Sequence, residues 1–227
     1  MQQGAGDMIS SRIGKGTLLA AAAMTCAAAV LSAQSGATRV TDGVSFNASG
    51  AVVRPQDYRE WVYVTSGLGM SYAPEAQAAA AAAAAAGQAR PPVFDNVFVN
   101  RQSYRAFLQS GRWPEGTMFI LELRRGERHV SIDTGGQTQG AMMGIEAAVK
   151  DSTRYASTGG WAYLGFSGAN GLTDSAMPNP PTASCYACHR DNTAVENTFV
   201  QFYPTLFEVA QRLGTVKPTY DPKRTVH

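Results

Sequence analysis

The chain is 227 residues long, 44% hydrophobic, and carries 19 Lys and Arg against 17 Asp and Glu, a formal net charge of +2. That near balance, without any basic block, argues against nucleic-acid binding. A structural zinc site needs four Cys/His ligands, usually as two paired clusters; besides Cys185, Cys188 and His189 the chain has only the scattered Cys26, His129 and His227.

At the N-terminus, Arg12 and Lys15 form a basic region, Thr17 to Leu31 is apolar, and Ser32-Ala33-Gln34-Ser35-Gly36-Ala37 offers small residues for cleavage. This is the pattern of a secretory signal peptide over residues 1–33. The apolar stretch is shorter than the roughly 20 residues of a spanning helix. Cleavage after Ala33, Ser35 or Ala37 is therefore expected, with a retained anchor as the alternative. Cys26 falls in the discarded segment. Cleavage also removes Asp7, Arg12 and Lys15, leaving 17 basic against 16 acidic residues. About 190 residues remain, enough for one domain with a sizeable core and with no stable membrane insertion.

Trp61-Val62-Tyr63-Val64 reads as a first strand. Residues 76–90 form an Ala-rich insertion around the run Ala78–Ala86. Alanine favours helix, but the run has no larger apolar side chain to bury, so a surface insertion with a transient helix is predicted. Val93-Phe94 and Val97-Phe98-Val99 suggest a second strand. Gln102–Gln109 has Tyr104, Phe107 and Leu108 at helical spacing and is closed by Gly111. Trp113-Pro114-Glu115-Gly116 is a turn. Met118–Leu123 is almost uniformly apolar and is predicted to be a central strand. Arg124–Arg128 reads as a solvated hairpin end. Gly144–Val149 and Trp161–Phe166 are further strands, and Ser167–Ser184 is a loop. Phe199–Arg212 is a closing helix with Pro204 in or before its first turn.

Cys185-Tyr186-Ala187-Cys188-His189 is the most informative segment. It reads C-x-x-C-H, the attachment signal for a c-type haem. The two thiols add to the porphyrin vinyl groups, and the adjacent imidazole lies close enough to ligate the iron. A thioredoxin-like pair would need a βαβ setting, which is absent around Cys185. A Cys185–Cys188 disulfide is the plain alternative. The segment reads as polar and loop-like.

Several blocks occur in order: Tyr58-Arg59-Glu60-Trp61-Val62, Trp113-Pro114-Glu115-Gly116-Thr117, Gly144-Ile145-Glu146-Ala147-Ala148-Val149-Lys150-Asp151 and Gly160-Trp161-Ala162. Pro181–His189 and Phe199-Val200-Gln201-Phe202-Tyr203-Pro204 follow. Together they resemble the cytochrome P-460 family, which includes cytochrome c′-beta, over a core of about residues 44–210 within a haem domain 34–227. The resemblance implies an α+β, mainly antiparallel β fold with a few helices, and a homodimer. It implies one covalent haem c per chain with an open distal position, in a periplasmic protein served by an electron-transfer partner. Cytochrome P-460 proper oxidises hydroxylamine and carries a lysine joined to a meso carbon of the porphyrin. Cytochrome c′-beta lacks that bond and binds NO and CO.

By the same resemblance, His189 matches the metal ligand and Cys185 with Cys188 match the thioether residues. Glu146 matches a distal carboxylate. It is read as the proton acceptor for hydroxylamine oxidation, with a solvated strand-edge glutamate as the alternative. Leu121 stands at the position of the cross-linking lysine and has no nitrogen to offer. Strand alternation turns Phe119 and Leu123 with it toward the haem, as an apolar lid. Of the remaining lysines, Lys150 matches a different family lysine, and Lys217 and Lys223 lie near the C-terminus. Asp95 falls where hydroxylamine-oxidising members can carry an arginine. Met142 or Met143 could supply a sixth ligand, as in a His/Met electron carrier, although Met more often fills core gaps. Three functions stay open: hydroxylamine oxidoreductase, NO-binding or NO-detoxifying protein, and electron carrier.

Overall fold

In a computed structural model, residues 42–72 and 74–223 are described. The signal peptide assigned to residues 1–33 lies outside them. Among the described residues no helix is long and apolar enough to cross a membrane.

The architecture is α+β and mainly antiparallel. A five-stranded meander runs in the order β2-β3-β4-β5-β6, with β2 at Val62–Leu68, β3 at Val93–Val99, β4 at Met118–Glu127, β5 at Thr138–Lys150 and β6 at Trp161–Gly165. The apolar strand β4 is central, as its composition predicts. Two short ladders accompany the sheet. β1 (Val52–Val53) pairs with β9 (Ser175–Ala176), and β7 (Ser167–Gly168) with β8 (Gly171–Leu172). Part of the expected loop 167–184 is thus hydrogen-bonded.

Alternation gives the sheet two apolar faces. Met118, Ile120, Ile145, Ala147, Val149 and Leu164 pack on the back with Tyr58, Trp61 and Phe166. Val99, Phe119, Trp161 and Tyr163 face the front, where Phe107, Trp113, Leu206 and Val209 cover part of the sheet. Three of these come from two helices: α2 (Arg101–Ser110) carries Phe107, and α4 (Pro204–Arg212) carries Leu206 and Val209. Gly111 closes α2 at φ +67°, a left-handed cap that suits glycine. Pro204 opens α4, where a missing N–H costs nothing.

Several sequence expectations differ from the structure. The closing helix starts at Pro204 rather than Phe199, after a separate turn at Val200–Phe202. The hairpin arms are longer than predicted. β4 continues through Arg124 and Arg125 to Glu127, because Arg124 folds back onto the Glu122 carboxylate rather than into solvent. The Cys185–His189 segment is not a loop but lies on helix α3 (Ser184–Asn192). The alanine run is a formed helix, α1 (Pro74–Ala85), starting at Pro74 with Glu75 in its first turn and followed by a turn with Gly87 at φ +71°. None of its residues is buried, so its placement on the surface agrees with the sequence reading.

That exposure yields a prediction. Replacing residues 74–87 by a short Gly-Ser linker is expected to move the thermal midpoint by less than about 2 °C. Nothing buried is lost, and changes in loop length cost little. A melt followed by circular dichroism checks this.

Candidate functional site

The front face of the sheet is only partly covered. Beside α2 and α4, a cavity of about 860 Å³ opens over β2–β6, with α3 and the segment Thr198–Tyr203 forming further walls. That volume lies in the upper part of the range of roughly 300–1,000 Å³ found for ligand and cofactor sites.

The register of the sheet fixes which side chains enter the cavity. Leu121 sits between Val97 on β3 and Glu146 on β5. Phe119 sits opposite Ala148, which pairs in turn with Tyr163 on β6. All of these line the cavity, and so does Asp95. Cys185, Cys188 and His189 reach it from α3. Phe119, Leu121, Glu146, Cys185, Cys188 and His189 therefore meet in one space, although 70 positions separate Phe119 from His189. Leu123 does not line it. It lies farther along β4, opposite Asp95 and beside the register shift at Leu123/Arg124, so the apolar lid is Leu121 and Phe119.

Helix α3 arranges the motif. Residues three apart share a helical face, which turns both thiols toward the cavity. Both cysteines are free. His189, in the last turn, places Nδ1 2.9 Å from the backbone carbonyl of Asn197. A carbonyl only accepts, so Nδ1 carries the proton and Nε2 keeps its lone pair. Burial pushes the His189 pKa down to about 4, partly offset by the Asn197 hydrogen bond and reinforced by the charge of Lys217. The ring is thus neutral near pH 7. It packs against Tyr163, with centroids 4.0 Å apart, and against the edge of Phe199 at 4.6 Å.

The loop that carries Asn197 is fastened from several sides. Glu196 accepts from Lys150 Nζ at 2.8 Å, from the Trp113 backbone N–H at 3.1 Å and from the Trp161 indole at 3.3 Å. Thr193 Oγ1 donates to the Glu196 carbonyl at 2.9 Å.

Two carboxyl groups face the cavity from the sheet. Glu146 is exposed to the open space, yet desolvation by the surrounding walls raises its pKa. Asp95 is also raised, first by desolvation and then by the negative charge of Glu146. A protonatable group therefore stands beside an apolar lid, the setting in which a carboxyl titrates nearer to neutrality.

Neither Met142 nor Met143 is placed to ligate in the cavity. Met142 packs against the back core, and Met143 is 53% exposed. The methionine that lines the cavity is Met70, whose Sδ accepts from Tyr72 Oη at 3.8 Å. The lysines are engaged elsewhere. Lys150 donates to the Trp113 carbonyl and Glu196, Lys217 donates to the Arg190 carbonyl and Thr193, and no lysine is among the described lining residues.

The donor set fits a haem better than a bare metal ion. Among the described residues no group of three or more His, Cys, Asp or Glu is placed to hold a metal. A neutral imidazole with a free Nε2, two thiols on one face and a mostly apolar cavity match a porphyrin instead. Met70, Tyr72, Tyr163 and Asn197 escaped the sequence reading. Strand alternation from Trp161 could have found Tyr163. Asn197 acts through its backbone and leaves no side-chain signal.

A family model for cytochrome P460 matches residues 55–200. No curated protein matches the chain.

Proposed function

Since the chain belongs to the cytochrome P460 family, and so is a haem protein, we propose that it is an exported, periplasmic monohaem c protein acting on small nitrogen species. The observation that carries this reading is the meeting of Cys185, Cys188, His189 and Glu146 in one cavity.

Each residue has a role in the proposal. Cys185 and Cys188 hold the porphyrin as thioethers. His189 offers Nε2 to the iron, with Nδ1–H spent on Asn197. The haem, when bound, supplies an electron-accepting iron with a position for a small ligand. Leu121 and Phe119 keep water from that side. Glu146 accepts a proton from hydroxylamine, whose oxidation releases protons as electrons leave. The electrons pass to a periplasmic partner, and the protein works as a homodimer.

A second reading is favoured by Leu121, which pairs directly with Glu146 in the sheet. An apolar side chain there suits uncharged NO and CO. With no lysine among the described lining residues, no lysine–porphyrin bond is proposed, and the site resembles cytochrome c′-beta in that respect. The electron-carrier reading would need a protein sixth ligand, and Met70 replaces Met142 and Met143 as its candidate.

Intact mass under denaturing conditions tests the attachment. The mature protein is expected to be heavier by one haem, and the Cys185→Ser/Cys188→Ser variant is expected to lose that increment. A ferrous Soret band strongly displaced to the red would overturn the absence of a cross-link. A low-spin six-coordinate spectrum lost in Met70→Ala would favour the electron carrier.

A further inference from the structure

The Asn197 carbonyl accepts two hydrogen bonds. One comes from His189 Nδ1 at 2.9 Å and the other from the Tyr163 hydroxyl, also at 2.9 Å. A carbonyl oxygen has two lone pairs and can take both donors, but each draws on the same electron density. Tyr163 is 6% exposed and stands on β6, fixed by pairing with Ala148. Its ring lies 4.0 Å from the imidazole at 34° and meets the edge of Tyr186, between the two cysteines, at 5.1 Å.

The strength of the bond from Nδ1–H governs how much electron density an imidazole gives a metal. A strong acceptor makes the ring more like imidazolate and stabilises the ferric state. A second donor on that acceptor weakens the effect.

We infer that Tyr163 is a positioning residue for the iron ligand. By sharing the Asn197 carbonyl with His189, its hydroxyl limits the ring's donation to the iron and holds the reduction potential of the site higher. This rests on the c-type haem reading above. The link from Tyr163 to His189 is the shared Asn197 carbonyl and the ring contact.

Tyr163→Phe keeps the ring contact and deletes the hydroxyl. In the haem-loaded protein the potential is expected to move to a more negative value, and the iron–histidine stretch in the ferrous resonance Raman spectrum to a higher frequency. Replacing Tyr163 by 3-fluorotyrosine, a stronger donor of nearly the same shape, is expected to move both in the opposite direction. That second arm keeps the inference testable if the phenylalanine variant folds poorly. Unchanged values, or shifts of the opposite sign, in a variant that carries its haem overturn the role of Tyr163 and leave the haem reading intact. A wild-type protein that takes up no haem overturns both.

Discussion

Glu146→Gln is expected to lower hydroxylamine-dependent reduction of an artificial electron acceptor by about 10²–10⁴-fold, the usual contribution of a positioned general base. Glutamine keeps the shape and the sheet pairing with Leu121 and Gly165 but cannot take a proton. The pH profile gives a second check. Glu146 is held above the ordinary carboxylate range by desolvation, so turnover should fall as pH drops through that raised value, and the acid limb should vanish in the variant. Stability should respond in the other direction. A raised carboxyl is disfavoured as an anion in the fold, a cost that sets in above the ordinary carboxylate pKa and is complete above the raised folded one, so Glu146→Gln should be as stable as the wild type or more so at pH 7. Stopped-flow NO binding separates the two functions. If hydroxylamine turnover is equal in both proteins, Glu146 is not the base; if neither protein turns hydroxylamine over, the gas-binding reading stands alone.

Glu122→Ala is expected to lower stability by about 3 kcal/mol, the low end for breaking a buried ion pair from one side. For a domain of this size that is about 6–12 °C in Tm. Glu122 is 3% exposed on the back of β4. It accepts from the Tyr58 hydroxyl, from Arg59 Nη2 at 2.7 Å and from Arg124. The lower end applies because Arg59 is half-exposed and can turn to water. Burial alone would raise the Glu122 pKa; the hydrogen bonds from Tyr58, Arg124 and Arg59 outweigh it and leave it lowered. Its contribution is therefore complete above the ordinary carboxylate pKa and is lost as pH falls through the lower folded value. Acid melts of wild type and variant should converge below that point. Neighbouring residues of a strand face opposite ways, so the haem spectrum, which reports on the Leu121 side, should not change.

The two experiments probe opposite faces of one sheet, Glu146 on β5 toward the cavity and Glu122 on β4 toward the back. Leu121 and Glu122 are covalent neighbours, yet one looks into the cavity and the other into a charged cluster behind the sheet. A loss of turnover with unchanged Tm and a loss of Tm with unchanged spectrum would together establish that division.

Local chemistry made much of this protein legible in one dimension. Cys185, Cys188 and His189 are readable because attachment needs two thiols and an imidazole within five consecutive residues. The central position of β4 followed from apolar residues on both faces, and the end of α2 from Gly111, whereas α4 starts at Pro204 rather than at the Phe199 expected from the sequence. The alanine helix was understated, because propensity is summed along a segment and does not require buried contacts.

Other features depended on partners remote in sequence. Met142 and Met143 read as candidate sixth ligands in the sequence, but register puts one in the back core and the other in solvent. Arg124 looked like a solvated hairpin charge until Glu122 was seen to be buried beneath it. The Asn197 carbonyl, shared by His189 and Tyr163, has no side-chain signature at all. The sequence by itself determined the family, the antiparallel α+β class and the motif suited to a haem, since each is written in residue type and short spacing. Only the tertiary structure decided which side chains share the cavity with that motif. Strand pairing sets the neighbours of a residue by register, and register is a property of the folded sheet rather than of any one strand.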